Sequence, residues 1–189
     1  MRVGLVCAVL LAAVPSAHAA KPQKAVAKLI DVSGNPAGMA TLTATHHGIL
    51  VELKITGLNE GPHGVHIHTS GNCDPRARFT TAGPHFSFEP KPHGFFGKGM
   101  HAGDLPNGYA ARDGTLQTAY LSNAFALGNG KKSIFDRDGA ALIVTARGDD
   151  YASQPDGRSG DRIACGVIVR TVGPASRARF EKHAKNKHH

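Results

Sequence analysis

Gly61-Pro62-His63-Gly64-Val65-His66-Ile67-His68 places three histidines within six residues. Val65 and Ile67 alternate with His66 and His68, the period-two pattern of a strand. Side chains two apart on a strand share a face, so His66 and His68 project together while Val65 and Ile67 turn the other way. Two imidazoles on one face are half of a transition-metal site. An exposed strand with polar histidines is the plainer alternative for these residues alone. His63 has the opposite parity to His66; on a regular strand it faces away and buttresses the strand.

Downstream, residues 69–103 show no clean periodicity, with Gly, Pro, Lys and Phe scattered through them. A loop this long is rare inside a domain and is usually functional or disordered. His85, His93, His101 and Asp104 stud it and its end, and three imidazoles with one carboxylate are a sound tetrahedral donor set for zinc. A divalent ion would supply the cross-links that the missing secondary structure does not.

The elements that must position these donors read as short strands. Residues 25–32, 40–44, 49–55, 115–121, 140–146 and 162–169 are strand-like, as is the histidine stretch. Residues 33–38, 57–62, 128–130 and 136–139 carry turn signals. His46 and His47 fall in the connection between two strands, where a solvated turn competes with a metal-binding pair. Residues 147–161 form a second long, polar loop. About eight short strands with two long loops predict an all-β fold, an eight-stranded Greek-key sandwich or flattened barrel.

The chain has 189 residues, which suits one domain with a sizeable core, and carries a formal charge of +8. No stacking aromatics are set in a basic patch, so no nucleic-acid partner is expected; attraction of a small anion is the open alternative. Residues 1–19 read as a secretory signal peptide: Arg2, an apolar run over 3–14, then the small-x-small site Ala17-His18-Ala19. Export to the periplasm or the extracellular space follows, with no membrane attachment after cleavage. One domain would then occupy residues 20–173. Residues 174–189 form a basic tail with His183, His188 and His189, either a solvated extension or a metal-capturing segment. Cys7 leaves with the peptide. Cys73 and Cys165 remain, and in an oxidising compartment they point to one disulfide, with two free buried thiols as the alternative.

These motifs in this order resemble the copper/zinc superoxide dismutases. The stretches that carry the resemblance are residues 63–68, Cys73, Gly83-Pro84-His85-Phe86, His93-Gly94, His101-Ala102-Gly103-Asp104-Leu105-Pro106-Asn107 and Arg162-Ile163-Ala164-Cys165-Gly166-Val167-Ile168. It covers about residues 24–169 and is strongest to secreted bacterial members. The resemblance implies the Greek-key fold, and conversion of superoxide to dioxygen and hydrogen peroxide at a copper site beside a structural zinc. It implies His66 and His68 as copper ligands and His85 as the bridge between copper and zinc. His93, His101 and Asp104 complete the zinc set. Arg162 would draw in and orient superoxide, with His85 as its catalytic partner. Asp149 would link ligands of the two metals, His63 would support from behind, and Cys73 and Cys165 would form the family disulfide. Members of the family pair through different surfaces, so monomer and homodimer both stay open.

One position departs from the family pattern. Where a fourth copper-ligand histidine is expected, the run Leu142-Ile143-Val144-Thr145-Ala146-Arg147-Gly148-Asp149 has Thr145. A hydroxyl is a hard oxygen donor and a poor partner for Cu(I). The expectation is therefore one zinc per chain, firmly held, and one copper per chain, weakly held. A non-catalytic zinc-binding protein, for metal buffering or partner binding, is the alternative.

Overall fold

The structure, a computed structural model, describes residues 22–171. The signal peptide expected over 1–19 and the tail expected over 174–189 lie outside these residues. Nine strands follow one another: β1 Lys24–Asp31, β2 Pro36–Thr45, β3 Gly48–Ile55, β4 Gly61–His63, β5 Val65–His68, β6 Gly108–Ala110, β7 Leu116–Ser122, β8 Ala141–Thr145 and β9 Arg162–Arg170. Two short 3-10 turns, Pro75–Ala77 and Thr80–Ala82, are the only helical elements among the described residues. None of them is a helix long and apolar enough to cross a membrane.

Seven strands form one antiparallel sheet in the order β5-β8-β9-β1-β2-β3-β7, and β4 pairs with β6. β4 and β5 are one strand interrupted at Gly64, which restores the expected count of eight. The interruption has a cause. The Gly64 N–H donates to Arg147 O and its carbonyl accepts from Thr145 N–H, so its backbone is drawn to the end of β8. The β6–β7 hairpin turns at residues 111–115, where Ala111 N–H donates to Thr115 O, and it lays β6 against β7. The curled sheet therefore closes into a flattened barrel.

Alternation fills the interior. Ala25, Ala27 and Leu29 of β1, Val51, Leu53 and Ile55 of β3, and Val65 and Ile67 of β5 point into the main core. β8 is buried on both faces. Leu142 and Val144 join the main core, whereas Ala141 and Ile143 join a second cluster with Phe79, Ala82 and Cys165. That explains its continuous apolar run, since a strand covered on both sides needs no polar face. The second cluster is the small core of the loop that Cys73 staples, and Cys73 and Cys165 are joined in a disulfide.

Two local readings differ from the sequence. The turn expected over 33–38 is tighter, because the Asp31 carboxylate accepts the N–H groups of Ser33 and Asn35 (2.8 and 2.9 Å). Pro36 is thereby released to begin β2, a strand-start position where its missing donor costs no ladder bond. β6, with three residues, is too short for any periodicity to announce it.

The disulfide spans 92 residues of sequence and clamps the second cluster onto β9. Replacing both cysteines, Cys73→Ser with Cys165→Ser, should lower unfolding stability by about 2–5 kcal/mol. Urea denaturation of the double variant beside the oxidised protein measures the difference.

Candidate metal centre

The centre is built on the outer face of β5, β8 and β9. His66 sits opposite Ile143 and His68 opposite Ala141, so these four side chains share the face away from the main core. Thr145 lies two residues beyond Ile143 and has the same parity; Arg162 pairs with it from β9. The register shifts between Val144 and Thr145, the kind of irregularity that re-aims side chains beside a site.

The long loop returns to cover this face. Ile67 N–H donates to Gly103 O (2.9 Å), Phe86 N–H donates to Ile67 O (2.7 Å) and Gly103 N–H donates to Phe86 O (2.8 Å). The free edge of β5 is thus paired by loop backbone, which brings His85 beside His68 and Asp104 beside His66. Gly103 makes the approach possible: a Cβ there would stand 2.2 Å from Ile67 O.

Two donor groups result, and His85 belongs to both. His85, His93, His101 and Asp104 place their ligand atoms within 4.8 Å of one another, and so do His66, His68 and His85. Tetrahedral zinc bonds of about 2.0–2.1 Å would bring such atoms to roughly 3.3 Å apart. Asp104 Oδ1 accepts from His85 Nδ1 (2.8 Å), and His93 Nδ1 and His101 Nδ1 face the same oxygen at 3.1 and 3.4 Å. The second carboxylate oxygen is occupied by the N–H groups of Gly94 (3.1 Å) and His101 (2.9 Å).

The rings are oriented from behind. His66 Nε2 and His93 Nε2 donate to the two oxygens of Asp149, at 2.8 and 3.0 Å. His68 Nδ1 donates to Gly83 O (2.8 Å), the carbonyl that also accepts from Arg162 Nη2 (2.8 Å), while Arg162 Nη1 donates to Phe79 O (2.8 Å). His63 is buried, with Nδ1 against Thr145 O (2.7 Å) and Nε2 against Asn59 O (2.9 Å). A partner on one ring nitrogen fixes the tautomer and leaves the other nitrogen as a lone pair. His66 Nδ1 and His68 Nε2 are such atoms, and they, His93 Nδ1 and His101 Nδ1 are all buried and without a hydrogen-bond partner. Among the described residues only the Tyr120 hydroxyl shares that condition. Buried polar atoms are rarely left orphaned. Four that converge in two groups are what metal ions would satisfy.

Thr145 offers no nitrogen. Its hydroxyl lies within hydrogen-bond distance of two carbonyls, Gly64 O (3.3 Å) and Arg147 O (3.1 Å). It also presses on Gly64, where a Cβ would stand 2.5 Å from the hydroxyl oxygen. His46 and His47 are exposed in the β2–β3 turn, away from any donor group found among the described residues. Sequence reasoning missed two contributors. Gly83 acts through its carbonyl, which no side-chain pattern can signal. Asn107, which bonds the Asp149 backbone, was visible only as part of a motif.

The metal-free electrostatics are opposed in sign. Burial works against the Asp104 carboxylate, yet the rings of His101, His85 and His93 outweigh it and hold the group well below its usual range. Asp149 is held low against burial by His66 and His93. Burial pushes His85 down to about 4 and also lowers His68, with help from His85 and Arg162. Burial alone would lower His93, but Asp104 and Asp149 raise it to about 9.

Between pH 6.5 and 4 the unfolded chain binds protons at His68 and His85 that the folded chain refuses, so stability falls as pH falls. Below that range the carboxylates of Asp104 and Asp149 add to the loss. Between pH 6.5 and 9 the folded chain holds a proton on His93 that the unfolded chain releases, so stability falls as pH rises. Urea midpoints of the metal-free protein should therefore peak near pH 6.5 and drop toward both pH 4 and pH 9.

Comparisons with known proteins agree with this geometry. A family model described as copper/zinc superoxide dismutase (SODC) matches residues 36–168. The Cu-Zn superoxide dismutase 2 of Aquifex aeolicus is 40% identical over 156 residues, spanning 81% of this chain and 91% of that protein. A superoxide dismutase-like protein of Bacillus subtilis is 34% identical over 146 residues, 75% of this chain and 74% of its own. A crystal structure of a SOD-like protein from Bacillus subtilis superposes with a TM-score of 0.72 at 32% identity, covering 76% of this chain and 97% of that one. With most of the barrel matched by the family model and the relatives spanning most of this chain's length, the chain is a member of the copper/zinc superoxide dismutase family.

Proposed function

We propose that this chain is an exported superoxide dismutase-like protein, acting in the periplasm or outside the cell, with a firm zinc half and a weakened copper half. His85, His93, His101 and Asp104 would hold zinc; His66, His68 and His85 would hold copper. The observation that carries the reading is the set of four buried imidazole nitrogens without partners, split between two groups that share His85.

Bound copper supplies a one-electron carrier, through which two superoxide anions and two protons become dioxygen and hydrogen peroxide. The chain's own residues do the rest. Arg162 is tethered through both terminal nitrogens, so its charge is fixed in place beside His68 and can attract and orient a small anion. His85 turns Nδ1 to Asp104 and leaves Nε2 for the copper half, where that atom would take up and return a proton. Asp149 accepts from Nε2 of His66 and His93, which turns both Nδ1 atoms toward the donor groups; at His93 a metal would replace the second proton that the metal-free ring holds up to about pH 9.

Thr145 sets the limit. The copper half has three imidazoles, and the hydroxyl beside them is a hard donor already engaged with backbone. A second reading rests on this residue: a zinc-binding member of the family that has left the reaction and buffers metal or binds a partner.

Metal content and superoxide dismutation measured on one copper- and zinc-loaded sample, beside Thr145→His, separate the two readings. Copper should be retained by both proteins. The variant should hold it tighter by at least the roughly tenfold that loss of a ligand's hydrogen-bond partner costs. Wild type holding zinc alone and showing no turnover, against a variant that gains both copper and activity, would establish the second reading. Arg162→Ala should slow the superoxide reaction of the copper-loaded protein and flatten its dependence on ionic strength.

A further inference from the structure

Asp149 orients one ligand of each metal half, yet it lies in the second long loop, beyond the end of β8, with no strand to fix it. Its placement comes from Asn107 and Tyr151. Asn107 Oδ1 accepts the Asp149 N–H (2.8 Å), and Asn107 Nδ2 donates to Asp149 O (2.9 Å). A primary amide laid against a peptide group in this way fixes both its position and its rotation. Asn107 N–H donates to the Tyr151 phenol oxygen (2.7 Å), and Tyr151 N–H donates to Asp149 Oδ1 (2.6 Å). The circuit is closed: side chain to backbone, backbone to phenol, backbone to carboxylate.

Tyr151 is held in an uncommon conformation to do this. Its φ is +61°, in the left-handed region that a bulky side chain rarely adopts. Its ring packs against Phe95 and Phe96, with centroids at 5.0 and 5.9 Å, and these follow His93 by two and three residues. The tyrosine therefore joins the loop that carries His93 to the loop that carries Asp149. Residues so strained persist where surrounding structure over-determines them, and they concentrate at functional sites.

We infer that Asn107 and Tyr151 are positioning residues: by fixing the Asp149 carboxylate they set the orientation of His66 and His93, so that both metal halves depend on one clamp. The inference rests on the two-metal reading above. It assigns neither residue a contact with metal or superoxide. Its consequence is that damage to the clamp is felt in both halves at once, although Asn107 and Tyr151 belong to neither donor group.

The test uses the full mature chain with Asn107→Ala, Tyr151→Phe and, as a control, Ala110→Gly. The control loosens the adjoining β4–β6 ribbon without touching the clamp. Zinc affinity is measured by competition with a chelator, and the Cu(II) geometry by electron paramagnetic resonance. Asn107→Ala should weaken zinc by about tenfold and alter the Cu(II) spectrum, since both His93 and His66 lose their fixed partner. Tyr151→Phe keeps the ring against Phe95 and Phe96 and should shift both readouts in the same direction by less; it carries the test if Asn107→Ala does not fold. Ala110→Gly should lower the melting temperature and leave both readouts at wild-type values. Zinc affinity within twofold of wild type and an unchanged spectrum in the clamp variants would overturn the inference, as would an equal loss in Ala110→Gly. Wild type that takes up both metals beside unaffected variants would sink the clamp alone. Wild type that takes up neither would sink the two-metal reading, and the clamp with it.

Discussion

A neutral imidazole has two ring nitrogens and one proton, and where each proton goes decides the form of this centre. Burial removes water as a partner, so each ring must find a protein acceptor or remain unsatisfied. His66 and His93 find Asp149, and His68 finds the carbonyl of Gly83. Each choice aims the opposite nitrogen inward. The loops then follow from the acceptors. Asp149 must be carried to the rings by the second loop, and Gly83 by the loop that the disulfide closes. Segments with almost no regular structure are held by the requirement that a few buried nitrogens be oriented.

The barrel was legible in the sequence because alternation is a local signal. Val65, Ile67 and their neighbours declare a strand, and the apolar run at 140–146 marks the strand that is covered on both sides. The donor types at 66, 68, 85, 93, 101 and 104 were legible for another reason: histidine and aspartate are seldom clustered without a chemical purpose. What could not be read acts through backbone or through geometry without a period. The carbonyl of Gly83 carries no side-chain signature. β6 is three residues long. The break at Gly64, which divides one strand into β4 and β5, follows from a pairing with the end of β8 some 80 residues away.

Thr145 makes only local bonds at the end of β8. Its hydroxyl bonds backbone that a strand end must satisfy anyway, and its carbonyl receives His63. The β8 ladder, the second apolar cluster and the disulfide all lie on the N-terminal side of it or across from it. His85, His93, His101 and Asp104 lie wholly outside β8. The scaffold can therefore carry a residue other than histidine at position 145.

The position of β1 between β9 and β2 has a consequence for biogenesis. Lys24–Asp31 is the first strand described and Arg162–Arg170 the last, and they are direct neighbours, with Ala25 opposite Arg170. A chain that emerges in order can zip β1, β2 and β3 locally, but one edge of β1 stays open until nearly the whole sequence has appeared. Contacts of such long sequence separation close slowly, because loop entropy is lost before they form. An unpaired edge strand is a template for wrong partners during that wait. Completion of the barrel, and with it the face on which His66, His68 and Arg162 meet, is accordingly a late event in the life of each molecule.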